Sequence, residues 1–153
     1  MTVIYIDADA CPVKEEVVRV GERHGLRMIF VSNAFMRLPE SELVQRVVVS
    51  EGLDVADDWI AERAAPGDVV VTADVPLAAR CVKAGASVLG PSGKPFRDVG
   101  LALAMRDLRT HLREIGEIRE SGPSFSRQDR SRFLQALESA VRGALRAAPG
   151  GQS

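Results

Sequence analysis

The amino-acid sequence predicts an α/β fold, a single domain with a mainly parallel central sheet and a C-terminal helical extension. Short apolar runs rich in β-branched residues alternate with stretches of helical periodicity. In the runs at residues 3–6 and 69–71 the apolar residues are consecutive, which is typical of strands that helices cover on both faces. The chain has 153 residues, enough for one domain with its own core.

The first half of the chain is expected to contain three strands and two helices. Pro12 suits the first turn of a helix, and Gly25 stands where that helix should end. The adjacent carboxylates Asp57 and Asp58 open the second helix, which ends near Pro66. Strands are predicted at residues 3–6, 26–31 and 46–49, with an excursion or short helix at 34–44.

The second half continues the alternation and then becomes helical. A strand at 69–71, a short helix closed by Gly85 and a strand at 87–89 lead into a loop rich in turn residues. Further helices are predicted from residue 99 to about 116 and from 127 to about 147, with a linker at 120–124. The predicted units are a domain at 1–119, a linker and helix packed on it at 120–148, and a disordered tail at 149–153.

Composition and charge exclude several classes of protein. The net charge of −1 gives no global basic field, although residues 1–105 carry a net of −4 and residues 106–153 a net of +3. The two cysteines, Cys11 and Cys81, lack zinc-site spacing. No secretory signal and no apolar run near the roughly 20 residues of a membrane span is apparent, so we expect a cytoplasmic protein without a membrane segment. The sequence does not indicate an oligomeric state.

Acidic residues stand where predicted strands end and a predicted helix begins. Asp7 and Asp9 follow the first strand, Asp57 and Asp58 open a helix, and Asp74 follows the strand at 69–71. Parallel strands end at one edge of a sheet, where open α/β folds bind their ligands. Carboxylates this close need a cation or raised pKa values, and Mg²⁺ or Mn²⁺ is the simplest cation. Helix capping is an equal alternative for each residue taken singly, but it explains the grouping poorly.

Three basic residues are candidates for holding a phosphate. Lys94 lies in the turn-rich loop, where an ordinary solvated lysine is the alternative. Arg127 and Arg130 are three residues apart on the last helix, so they can share one face. They could hold a phosphate backbone or pair with the acidic body and fix the helix to it. The sequence contains none of the Walker, dinucleotide-binding, nucleophile-elbow or zinc-helix motifs.

The chain resembles the YaiI/YqxD family of uncharacterised bacterial proteins over roughly residues 2–143. Five motifs carry the resemblance: Asp7-Ala-Asp-Ala-Cys-Pro-Val-Lys, Ala56-Asp-Asp-Trp-Ile-Ala, Thr72-Ala-Asp-Val-Pro-Leu-Ala-Ala-Arg-Cys, Ala104-Met-Arg-Asp-Leu and Phe125-Ser-Arg-Gln-Asp-Arg-Ser-Arg-Phe-Leu. That resemblance implies no activity.

A more distant resemblance implies one. The residues 57–61 and 70–74 are similar to the paired motifs of PIN-domain and flap-endonuclease-like nucleases, which implies a three-layer PIN-like domain. It assigns catalytic roles to Asp7, Asp57 and Asp74, and metal binding to these three with Asp9 and Asp58. The PIN acid normally carried by a helix in the first half has no clear counterpart, with Glu42 or Asp9 as the nearest candidates.

The leading hypothesis is therefore a nuclease or related phosphodiesterase that depends on Mg²⁺ or Mn²⁺ and acts on nucleic acid. RNA or another single strand is favoured by analogy alone. Two alternatives stay open. One is a haloacid-dehalogenase-type phosphatase with Asp7 as nucleophile and Asp9 as acid. The other is a PIN-like binding or regulatory module without catalysis.

Overall fold

The protein has the predicted α/β architecture. The structure, a computed structural model, describes residues 2–52, 54–96 and 126–147. The strands are β1 (Val3–Asp7), β2 (Arg27–Ser32), β3 (Val44–Val48), β4 (Val69–Val71), β5 (Ser87–Leu89) and β6 (Pro95–Phe96). The helices are α1 (Lys14–His24), α2 (Val55–Arg63), α3 (Val75–Lys83) and α4 (Arg127–Ala147), with a 3₁₀ turn at Ala8–Ala10.

One six-stranded sheet carries the fold, in the order β3-β2-β1-β4-β5-β6. All neighbours are parallel except β6, which is antiparallel to β5. β1 lies in the middle, with Asp7 opposite Val31 of β2 and Ile6 opposite Val71 of β4. The chain therefore builds the sheet outward from β1 in one direction, returns, and builds it in the other.

Consecutive apolar residues of the strands fill two separate cores. Ile4 and Ile6 face the core formed with α1 and α4, whereas Tyr5 faces the core formed with α2 and α3. All three residues of β4 are fully buried, because helices cover both faces of the sheet. The mainly parallel, helix-covered sheet predicted from consecutive apolar residues is thus confirmed.

The C-terminal helix is part of the larger core. Phe133, Leu137 and Val141 are four residues apart along α4 and are completely buried. A polar contact strengthens the docking: Glu138 binds the side chains of Arg23 and His24 at the end of α1, with contact distances of 2.9 and 2.7 Å. Ser126 and Asp129 form a capping box at the start of α4, where Ser126 Oγ accepts from the Asp129 N–H and Asp129 Oδ2 accepts from the Ser126 N–H.

Several boundaries differ from the sequence-based expectation. β3 begins at Val44 rather than at 46, and residues 34–43 contain no helix. β6 was not predicted, because it has only two residues and one of them is proline. The helix expected at 99–116, the linker at 120–124 and the tail at 149–153 lie outside the described residues. Among the helices that the structure describes, none is long and apolar enough to cross a membrane.

Candidate carboxylate site

The site lies where the sheet changes its direction of growth. β1 continues to β2 on one side, while the chain reaches β4 on the other side only after β3 and α2. The strand ends on either side of such a switch point leave a crevice, which is the usual ligand position in open α/β sheets. Asp7 is the last residue of β1, and Asp74 comes three residues after the end of β4. The two carboxylates therefore flank this crevice.

Thr72 links the two strand ends. Its Oγ1 donates a hydrogen bond of 2.9 Å to Asp7 Oδ2 and accepts one of 3.0 Å from the Asp74 N–H. The Thr72 side chain is almost completely buried, so this bridge is held within the fold. Asp74 is oriented further as the N-cap of α3, where its Oδ1 accepts from the Leu77 N–H at 2.9 Å. Asp74 thus caps α3 and also belongs to the acidic group.

Asp57 joins the group from the first turn of α2. That helix starts after Asp54, whose carbonyl accepts from the Asp58 N–H and whose backbone is left-handed, with φ 65°. The Asp54 side chain makes no capping hydrogen bond. Burial, followed by the charges of Asp74, Asp7 and Asp54, raises the pKa of Asp57 from 3.8 to about 6, and Arg80 opposes this. The charges of both strand-end carboxylates therefore act on Asp57.

Asp7 is a half-buried member of the group. Burial raises the pKa of Asp7 above its ordinary value, the Thr72 hydrogen bond lowers it, and the charges of Asp74 and Asp9 raise it again. The three carboxylates of Asp7, Asp57 and Asp74, called here the acidic trio, come from three separate elements and repel one another. Such an arrangement favours either protonation or a cation.

The oxygen atoms of the acidic trio suit a hard divalent cation, but the three carboxylates stand too far apart to hold one together. Carboxylate oxygens are the ligands that Mg²⁺ and Mn²⁺ prefer. In the part of the chain that the structure describes, however, no three His, Cys, Asp or Glu side chains already stand close enough together to hold an ion. The chemistry of the trio fits a cation, and the carboxylates would have to close around it. Rotation of the Asp57 side chain, which lies on a helix surface, is the simplest such movement.

Asp9 and Asp58 are engaged elsewhere. Asp9 lies in the 3₁₀ turn after β1 rather than in the strand, and its Oδ1 accepts from the Asn33 N–H at 3.2 Å. Its charge still raises the pKa of Asp7. Asp58 is exposed and forms a 2.7 Å ion pair with Arg80. Both residues thus lie beside the acidic trio with partners of their own.

The three predicted phosphate-binding residues lie on two elements, the turn before β6 and the start of α4. Lys94 is an exposed residue of the turn between β5 and β6, where its carbonyl accepts from the Gly90 N–H. Arg127 is exposed at the start of α4. Arg130 donates to the Pro12 carbonyl at 2.9 Å and lies 3.4 Å from Glu16, so it fixes α4 to the start of α1. Of the two alternatives for Arg130, the structure shows the pairing with the acidic body.

Sequence reasoning did not assign Thr72 to this site. The signal was the spacing of a hydroxyl residue two positions before Asp74, directly after a buried strand. Threonine is common in strands, so this pattern alone does not separate a bridging hydroxyl from an ordinary strand residue. The pairing of β4 with β1, which places Thr72 beside Asp7, had to be known first.

Comparisons with known proteins place the chain among bacterial proteins without a described activity. Residues 5–143 match the sequence model of a family described as uncharacterised, the YaiI/YqxD family. A UPF0178 protein of Rhodopseudomonas palustris is 56% identical over 153 residues, covering 97% of each chain. One from Parvibaculum lavamentivorans is 57% identical over 151 residues, covering 97% of this chain and 99% of its own. No solved structure matches.

Proposed function

The chain belongs to the YaiI/YqxD family, whose description names no activity, and we propose from its geometry that it hydrolyses phosphodiesters of nucleic acid with a divalent cation held by Asp7, Asp57 and Asp74. The observation that supports this proposal is the convergence of these carboxylates at the switch point of a parallel sheet. Each comes from a different element, so helix capping explains Asp74 but leaves Asp7 and Asp57 without a reason to face one another.

The residues of the site have separable tasks in this proposal. Thr72 holds the Asp7 carboxylate by donating to Oδ2, and the Leu77 N–H holds that of Asp74. Asp57 completes the set from the first turn of α2. A bound Mg²⁺ or Mn²⁺ would supply positive charge for the phosphate oxygens and a water of lowered pKa. The protein's part is to supply the three carboxylates. Because a cation would neutralise the repulsion among these carboxylates, that repulsion favours cation binding.

A groove along α1 has a small excess of cationic side chains, which is compatible with a polyanionic substrate. It has a volume of about 840 Å³ and begins at Cys11 and Pro12, two to three residues after Asp9. Its lining includes four cationic side chains and three glutamates, so it is slightly positive on a chain whose net charge is −1. The choice of RNA over DNA as substrate is based on the resemblance of residues 57–61 and 70–74 to the motifs of PIN-domain nucleases. This choice stays a prediction.

The phosphatase alternative has weaker support. A nucleophilic Asp7 would need a freely accessible carboxylate, whereas Asp7 is half-buried and its Oδ2 accepts from Thr72. The proposed acid, Asp9, accepts a hydrogen bond from the Asn33 N–H instead of standing free over Asp7. The binding-module alternative differs from the nuclease only in lacking turnover, so an experiment has to separate them.

The test compares wild-type protein with Asp74→Asn, because asparagine also caps helices and removes only the charge. Glu62→Gln, an exposed change on α2, is the matched control. End-labelled single-stranded RNA is incubated with each protein, with and without Mn²⁺, and melting temperature is measured in parallel. We expect Mn²⁺ to raise the melting temperature and to permit cleavage in wild type and Glu62→Gln, and to do neither in Asp74→Asn.

Other outcomes are equally informative. A Mn²⁺-dependent rise in melting temperature without cleavage would keep the cation site and reject the nuclease. Cleavage that survives in Asp74→Asn would come from elsewhere and contradict the proposal. No effect of Mn²⁺ on either quantity would leave the binding module.

A further inference from the structure

Phe35 is an exposed aromatic residue that the proposed chemistry does not use. It lies in the irregular segment between β2 and β3, and its side chain is 75% exposed. The guanidinium of Arg46, on the edge strand β3, lies 4.5 Å from the ring centroid. Arg46 Nε also donates to the Met36 carbonyl at 3.1 Å, which holds the guanidinium over one face of the ring. The segment therefore presents the other face of Phe35 to solvent.

The segment that carries the ring begins next to Asp9. The Asn33 N–H donates to Asp9 Oδ1, and the charge of Asp9 acts on Asp7. Consecutive Cα atoms are about 3.8 Å apart, so the Cα atoms of Asn33 and Phe35 lie within about 7.6 Å of each other. Phe35 thus lies three residues beyond the carboxyl end of β2, and its contact with Arg46, opposite Phe30, puts the ring on the α1 face of the sheet.

The chemistry of this surface fits an unpaired nucleotide. A flat aromatic face backed by a guanidinium binds a nucleobase by stacking, and arginine adds attraction for the phosphate. Arg37, two residues after Phe35, lines the groove together with Lys14 and Arg130. Glu40 and Glu42 line a second cleft with Arg46, which adjoins the groove at Leu38 and Pro39.

Other occupants fit less well. A protein partner would need a wider apolar surface, whereas the neighbours Asn33, Ala34 and Arg37 are exposed and small or polar. Trp59 is a second aromatic candidate, but its ring packs edge-on against Tyr5 and against the smaller core.

We propose that Phe35, backed by Arg46, stacks an unpaired base of a single-stranded nucleic acid and thereby brings the adjoining phosphate to the acidic trio. The stacking site stands on its own geometry, and only the delivery to the trio rests on the proposed nuclease function. The substrate class is then a single strand, because the bases of an intact duplex are already stacked on one another.

The test measures binding without catalysis. Fluorescence anisotropy of a dye-labelled single-stranded RNA, with a DNA strand and an RNA duplex of the same sequence, is followed in EDTA. The variants are Phe35→Ala, Phe35→Leu, Phe35→Trp and Arg46→Gln, with Val48→Ala, a change of another exposed apolar residue of the edge region, as control. Leucine keeps the apolar surface and removes the flat face, whereas tryptophan keeps both.

We expect wild type and Val48→Ala to bind the single strand equally and more tightly than the duplex. Phe35→Ala and Phe35→Leu should bind about fivefold more weakly or worse, and Arg46→Gln should also lose affinity. Phe35→Trp should bind normally, with tryptophan fluorescence quenched on binding beyond any change seen in wild type.

Three results would overturn the stacking site: undiminished affinity in Phe35→Leu, an equal loss in Val48→Ala, or no binding of single strands by wild type. The experiment also separates failure of the nuclease function from failure of the stacking site. Stacking without cleavage in Mn²⁺ would reject the nuclease function and keep the stacking site. Full cleavage by Phe35→Ala with unchanged affinity would reject the stacking site and keep the nuclease function.

Discussion

Thr72 is the residue on which the geometry of the site depends most. Its single buried hydroxyl serves the side chain of Asp7 and the backbone of Asp74 at once. Neither aspartate could be oriented in this way by burial alone, since a buried carboxylate without a donor is unfavourable.

Thr72→Val should therefore loosen the site without changing its volume. The Asp74 N–H loses its acceptor and Asp7 loses a donor, so we expect the free energy of unfolding to fall by about 1–3 kcal/mol. The pKa of Asp7 should rise further, because the Thr72 hydrogen bond lowers it. Thermal melts and a carboxyl titration by NMR measure both effects. Thr72→Ser, which keeps the hydroxyl, is the control, and equal behaviour of the two variants would refute the bridging role.

The residues of the site differ in how far sequence alone could identify them. Asp7, Asp57 and Asp74 follow from the ends of predicted elements. Thr72 and Phe35 do not, because their significance depends on which strand lies beside β1 and on which side chains stay exposed. The association of Asp58 with Arg80 is likewise a tertiary contact, formed between α2 and α3.

At the scale of elements, α2 has two features that lower the stability of the folded protein. Its first turn brings Asp57 toward two other carboxylates, and the helix starts from a left-handed Asp54, a conformation that non-glycine residues seldom adopt. An element that existed only to cover the sheet would gain nothing from either feature. Destabilisation of this kind is common where side chains are arranged for ligands.

This cost should appear as a dependence of stability on pH. Burial and neighbouring charges raise the pKa of Asp57 in the folded protein from 3.8 to about 6. Between these values the folded state binds more protons than the unfolded state, so stability falls as pH rises from about 4 to about 6. Asp57→Asn should remove this contribution. In EDTA it should melt higher than wild type at pH 7 and gain less at pH 4.5.

Asp58→Asn is the matched control for that experiment. It removes a charge from the same turn but breaks the exposed pair with Arg80, so it should be neutral or slightly destabilising at pH 7. An Asp57→Asn variant that melts below wild type at pH 7 would show that repulsion within the trio is not the dominant effect.

The elements themselves could be predicted to different degrees. Buried strands and amphipathic helices have strong periodic signals, and α1 ends at Gly25 as expected because its φ of 66° suits glycine. The segment between β2 and β3 lacks such a signal. Its path is set by contacts such as that of Arg46 with Met36, which no local pattern encodes.

At the scale of the whole molecule, α4 belongs to the fold rather than to an appendage. Phe133, Leu137 and Val141 fill the core that also contains Ile4 and Ile6. Burial of three such side chains is worth about 5–9 kcal/mol in all, comparable with the total stability of a typical domain.

A chain that ends at residue 125 should consequently lose its cooperative melting transition and expose apolar surface to a hydrophobic dye. A chain that ends at residue 147 should melt as the full-length protein does. Calorimetry distinguishes the two. A sharp transition in the shorter chain would mean that the remaining elements form a sufficient core without α4.

The pairing of β1 with β4 also decides when the site comes into being. Thr72 and Asp7 are 65 residues apart in sequence, and the Thr72 hydroxyl donates to the Asp7 carboxylate. Translation adds about 5–20 residues per second, so roughly 3–13 s pass between synthesis of the first aspartate and of its partner. During that interval Asp7 is an ordinary carboxylate on a nascent chain, and the crevice exists only once β4 has been made and has paired.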